Sequence, residues 1–201
     1  MANNFNSRKH GYGNFSHNTR GRAVPGAQRS PRDRAHQAVS PYVLVDPATI
    51  GRLVATAAPA AHGHVLVPAA GDAALLRALA AHGARVTAYE PDPAAAGRLS
   101  ARTRDVPGIS VLRADFTKAR APREPFAVVA AAPTTAPAIL AWCLRAPALT
   151  SATLLVPQEY ADIAADQAAP AFTRTLTDPV PAEAFHPTTP TPCAILHLRR
   201  S

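Results

Sequence analysis

From residue 46 onward the apolar positions of the chain fall into two alternating rhythms. Asp46 followed by Pro47 is a helix start: a side-chain acceptor for orphan N–H groups, then a proline at the first helical position. Ile50, Leu53, Val54 and Ala57 then recur at helical spacing. The short apolar run 64–67 reads as a strand. Leu75, Leu76 and Leu79 place a second helix over residues 73–82, closed by Gly83. Residues 85–90 read as the next strand, ending in Glu90. The alternation continues with a helix over 94–104 and a strand over 109–113 that ends near Asp115. A strand over 126–131 ends at Pro133, a helix covers 137–146, and strands cover 151–156 and 193–198. Alternating β and α elements predict an α/β domain: a doubly wound, mostly parallel sheet with helices on both faces. Five prolines between residues 179 and 192 read as a rigid extended connector into the last strand.

Composition divides the chain in two. The net charge is +8, and residues 1–40 hold seven cations (Arg8, Lys9, Arg20, Arg22, Arg29, Arg32 and Arg34) against Asp33 alone. That stretch is rich in Asn, Ser, Gly and His and nearly lacks aliphatic residues. It cannot bury enough apolar surface to offset its chain entropy, so a disordered basic arm over 1–40 precedes a domain over 41–201. Arg20, Arg22, Arg29, Arg32 and Arg34, interleaved with Tyr12 and Phe15, suit phosphate contact and base stacking in an RNA-binding arm. A solubilising tail with no partner is the alternative. No apolar run reaches the roughly 18–20 residues of a membrane span, and the first ten residues hold no hydrophobic segment of a secretory signal. A cytoplasmic monomer is the expectation, with no membrane contact. Cys143 and Cys193 fit buried thiols rather than a disulfide framework. His62 and His64 lack a neighbouring acid or cysteine and read as loop histidines, so no metal is expected.

In a doubly wound sheet ligands bind across the carboxyl ends of the strands. Gly71, Glu90, Asp115 and Pro133 fall at those ends, one per strand, with Glu90 19 residues after Gly71. Glu90 could accept from two ribose hydroxyls, and Asp115 from an adenine amine. A dehydrogenase would present a full G-x-G-x-x-G. This turn has one glycine, so the order of elements fits an S-adenosylmethionine-dependent methyltransferase better.

Three segments carry a closer resemblance: PREPFAVV from Pro122, AWCLRAPALTSAT from Ala141, and EYA from Glu159. In these the chain resembles the erythromycin-resistance (Erm) rRNA adenine-N6 methyltransferases, from about Ser40 to Arg200. The resemblance implies a Rossmann-like methyltransferase fold with a seven-stranded sheet and S-adenosylmethionine as cofactor. It implies large-subunit (23S) ribosomal RNA as partner, and methylation of one adenine that blocks macrolide and lincosamide binding. It also implies a short form without the family's C-terminal helical domain, RNA recognition then resting on the N-terminal arm. Carried onto this sequence, the cofactor-binding positions are Tyr42, Leu44, Ala69, Gly71, Glu90, Asp115 and Ala131. The catalytic positions are Ala131, Ala132, Pro133 and Thr134.

Several of these depart from the family pattern. Of S-Q-N-F-L-x-D the chain keeps Ser40, Leu44 and Asp46; of E-I-G-A-G-x-G it keeps the middle glycine, with alanine at 69 and 73. Asn-Ile-Pro-Tyr/Phe becomes Ala131-Ala132-Pro133-Thr134. In the family the Asn oxygen and the carbonyl before the Pro accept the two hydrogens of the adenine amine, and the aromatic stacks the flipped base. Losing one transition-state hydrogen bond costs about 3 kcal/mol, and losing stacking about 1–3 kcal/mol. Together that is a slowing of about 10³–10⁴. The expected functions are thus rRNA methylation, a catalytically inactive relative that acts as an RNA-binding protein or is a decaying gene product, or methylation of a small molecule.

Overall fold

A computed structural model describes residues 40–168 and 171–201 of the chain. The basic arm, with Arg20, Arg22, Arg29, Arg32, Arg34, Tyr12 and Phe15, lies outside the described residues.

Seven strands form one sheet: β2 (His64–Pro68), β3 (Arg85–Tyr89), β4 (Ile109–Leu112), β5 (Phe126–Ala130), β6 (Leu149–Pro157), β7 (Phe172–Leu176) and β9 (Cys193–Arg200), in the order β4-β3-β2-β5-β6-β9-β7. The first five strands are parallel, and β9 runs antiparallel between β6 and β7. A separate two-residue strand, β1 (Val43–Leu44), pairs with β8 (Phe185–His186). The order reverses direction between β2 and β5, the switch point where such sheets take ligands.

The central strands are sealed on both faces, which is why they read as continuous apolar runs rather than alternating ones. Val65, Leu66 and Val67 of β2 are all buried. One layer is built by α1 (Pro47–Ala57), α2 (Ala73–Ala81) and α3 (Pro93–Thr103), with Leu53, Leu76, Leu79 and Leu99 inward. The other holds α4 (Ala136–Arg145) and α5 (Ala161–Ala168), with Ile139, Leu140, Trp142 and Phe116 inward. The helix starts follow their capping residues: Asp46, Asp72 and Asp92 each accept an N–H of the first turn, at 2.8, 3.0 and 2.7 Å.

The doubly wound sheet and its predicted elements stand, with ends shifted by one or two residues. One expectation needs correction, and one strand went unassigned. The stretch 179–192 is no bare connector: Val180 bridges to Cys193, β8 pairs with β1, and the Ala184 carbonyl accepts from Val45 and Asp46. Its prolines leave enough N–H groups between them to build this small sheet. The seventh sheet strand, β7, is an edge strand with four of its five residues exposed, so it carries no apolar pattern. Both cysteines are buried, and burial pushes the Cys143 thiol up to about 12 and Cys193 to about 11.

Candidate functional site

The turn after β2 and the turn after β5 face each other at the switch point. Between them lies a crevice lined by Tyr42, Val43, Leu44, Ala69, Ala70, Gly71, Asp72, Leu75 and Ala131. Five of the seven expected cofactor positions (Tyr42, Leu44, Ala69, Gly71 and Ala131) therefore converge on one spot, from three separate segments. Gly71 sits at φ +60°, where glycine is at ease, but Ala69 sits at φ +45° and carries a methyl group there. A side chain at Gly71 would meet the Val43 methyls at 3.5 Å. The crevice holds a cavity of about 10 Å³, room for a single water.

Glu90 and Asp115 do not line that cavity. Glu90, just past β3, is 3% exposed. The Asp92 N–H donates to its carboxylate at 3.2 Å and the Gly71 N–H faces it, but no described cation forms an ion pair with it. Burial raises its carboxyl above the usual range despite those backbone N–H groups. Asp115 is committed differently: it accepts from the N–H and hydroxyl of Thr117 at 3.0 and 2.7 Å and pairs with Lys118 at 2.8 Å. Burial pushes the Asp115 carboxyl up, but the hydrogen bonds from Lys118 and Thr117 outweigh it and hold the group below its ordinary value. Asp115 is thus the cap of a short turn over Phe116–Lys118 before it is anything else.

The expected catalytic positions form the other wall. Ala131 borders the crevice, Pro133 is buried, and Pro133–Thr135 makes a single 3-10 turn. The resemblance assigns the Ala132 carbonyl one hydrogen of an adenine amine. It is 1% exposed as a residue, and its oxygen accepts from both the N–H and the hydroxyl of Thr135, each at 3.1 Å. Both of its lone pairs are used within the chain. Thr134 is exposed and donates to Ser40 Oγ at 3.3 Å, which ties the segment before β1 to this wall.

Sequence reasoning did not single out Thr135 or Val43. Thr135 could have been found, since a threonine three residues after a turn carbonyl often folds back onto it. Val43 could not, because only the β1–β8 pairing puts it over the Gly71 turn. Trp142 is core as expected, 4.3 Å from the Phe116 ring, with its indole N–H on the Ala119 carbonyl at 2.9 Å. His64 faces the Thr87 hydroxyl at 2.9 Å, and the described residues contain no metal-binding group.

Comparison with known proteins places this geometry. No family model matches the chain. It is 43% identical over 138 residues to an rRNA adenine N-6-methyltransferase of Aeromicrobium erythreum, covering 68% of this chain and 41% of that protein. Against an rRNA adenine N-6-methyltransferase of Saccharopolyspora erythraea it is 39% identical over 134 residues, 66% of this chain and 35% of that protein. The chain spans less than half the length of these curated relatives. Among solved structures it resembles the 23S rRNA methyltransferase ErmE, with a TM-score of 0.74 and 34% identity over 79% of this chain and 69% of that one. The chain belongs to the Erm family of rRNA adenine N6-methyltransferases.

Proposed function

We propose that the chain is a cytoplasmic, monomeric rRNA adenine-N6 methyltransferase that uses S-adenosylmethionine and, through its target adenine in 23S rRNA, confers macrolide and lincosamide resistance. The observation that carries the reading is Glu90. Its carboxylate is buried at a strand end, takes backbone N–H groups of Asp92 and Gly71 and forms no ion pair among the described residues, so it keeps acceptor capacity for further donors. A ribose diol supplies two, and burial makes such bonds stronger. The residues therefore fit the nucleoside end of the cofactor: Glu90 for the ribose and the Gly71 turn for close approach. The methionine end fits only after the Tyr42–Leu44 segment shifts, because about 10 Å³ is far below the roughly 300 Å³ of even a small ligand pocket. That segment is held by the two-residue pairing with β8, by the Val45 and Asp46 N–H groups on the Ala184 carbonyl and by the buried Leu44, so its shift carries a cost.

S-adenosylmethionine, when bound, supplies an electrophilic methyl group. What the chain contributes is positioning. Pro133 fixes the turn, and Ala131 leaves open the space that an amide would fill. The Ala132 carbonyl becomes an acceptor for the target amine only if the Thr135 hydroxyl rotates away. The basic arm would hold the RNA backbone. The account expects slow transfer, about 10³–10⁴ below an enzyme with the amide and aromatic in place. Transfer of labelled methyl to 23S rRNA, with primer extension to find the modified adenine, tests the reading; a stop at one adenine supports it.

A second reading is favoured by the occupied Ala132 carbonyl: a relative that binds rRNA without methylating it. RNA affinity with no label transferred, even in single-turnover excess of protein, would select that reading.

A further inference from the structure

The stretch 113–123 leaves the carboxyl end of β4 and runs to the start of β5. Its residues alternate in burial. Ala114, Phe116, Ala119 and Ala121 pack into the core beneath α4, whereas Arg113, Lys118, Arg120 and Arg123 are exposed. Phe116 against the Trp142 ring and the Ala119 carbonyl on the Trp142 indole fix this stretch along the helix. Arg145, also exposed, closes the same layer at the end of α4. Among the described residues, only Lys118 of these five forms an ion pair, with Asp115.

The charge is concentrated there. Residues 113–123 hold four cations and one acid, while the rest of 41–201 holds ten cations and eleven acids. The folded part is therefore slightly acidic except along this track. The track follows α4, a helix of ten residues and so about 15 Å long, whose first turn continues from the 131–135 turn.

We propose that Arg113, Arg120, Arg123 and Arg145 form a phosphate-binding track for the RNA flanking the target adenine. The proposal rests on the rRNA reading above and adds to it a surface on the folded domain, separate from the basic arm. Arginines on a fixed stretch meet phosphates with little ordering cost, and each contact releases counterions.

The test is the salt dependence of binding of the full chain to a labelled 23S rRNA hairpin, by fluorescence anisotropy between about 50 and 200 mM salt. R113Q/R120Q/R123Q should lower the slope of log K against log salt by about 2–3, at roughly 0.7–0.9 per phosphate contact. R113K/R120K/R123K should restore most of it. R98Q/R104Q, on α3 and just past its end in the opposite layer, should leave the slope unchanged. An unchanged slope in the triple Gln variant, with thermal melting equal to the parent, overturns the track while leaving the rRNA reading intact. Absence of binding by the parent chain overturns the rRNA reading and the track with it.

Discussion

The acids beyond the crevice and the residues that line it differ in what else they do. On the β3–β4 side, Glu90 lies just past β3 and Asp115 follows β4. Asp115 also caps the Phe116–Lys118 turn, and Asp92 beside Glu90 also caps α3. On the β2–β5 side, Ala69 and Ala131 line the crevice and Thr134 is exposed, and none of the three caps a helix. Removing a side chain that only a ligand uses costs the fold nothing, whereas removing a cap costs about 1 kcal/mol. The nucleoside side is held in place by stability, the transfer side only by function.

Rebuilding the transfer side should have the largest effect. A131N/T134F restores an acceptor and a π face, and T135A frees one lone pair of the Ala132 carbonyl. The triple variant should raise single-turnover methyl transfer to 23S rRNA by about 10³–10⁴. A rate equal to the parent would mean that the wall is misplaced and not merely stripped.

Breaking the packing behind the Phe116–Lys118 turn should instead cost stability. Trp142→Ala removes the ring under Phe116 and Phe126 and the indole bond to Ala119. Urea unfolding should show a loss of about 3–5 kcal/mol. A loss below about 1 kcal/mol would contradict the packing described.

The two acids should separate in pH. Glu90 is raised, so its contribution is complete below the ordinary carboxylate range and is lost as pH rises through its raised value. Asp115 is lowered, so its contribution is present above the ordinary range and is lost as pH falls. Glu90→Gln should therefore stabilise the unliganded fold at neutral pH and flatten its loss with rising pH. Asp115→Asn should weaken it at neutral pH and flatten the loss on acidification. The reverse assignment in urea titrations across pH would contradict the two environments.

The smallest expected effect is on the fold in Ala69→Gly. A left-handed alanine costs about 1–2 kcal/mol, and glycine returns part of that as chain entropy, about 0.5–1 kcal/mol. The net gain should stay under about 1 kcal/mol, while the crevice loses a methyl group from its lining.

How much of this could be read from the sequence follows from the same contrast. Helix caps and buried parallel strands are local, so Asp46-Pro47, Gly71, Glu90 and the 64–67 run announce themselves. Gly71, Glu90, Asp115 and Pro133 were legible as strand ends, because strand ends in a doubly wound sheet fall on one side, but only the resemblance named Tyr42, Leu44 and Ala69, and the crevice gathers five of the seven positions without Glu90 or Asp115. What escaped depended on distant partners. The β1–β8 pairing joins residues some 140 apart and places Val43 over Gly71. The commitment of the Ala132 carbonyl to Thr135, by contrast, was open to a local reading, a threonine folding back onto a carbonyl three residues earlier, and was missed. The edge strand β7 has no apolar rhythm to read.

Calorimetric titration of the full chain with S-adenosylmethionine tests the central claim most directly, that Glu90 and the Gly71 turn still form a cofactor crevice. The account predicts one-site binding by the parent chain, weaker binding by Glu90→Gln and tighter binding by Ala69→Gly. No heat at millimolar cofactor from either the parent or the glycine variant would contradict it.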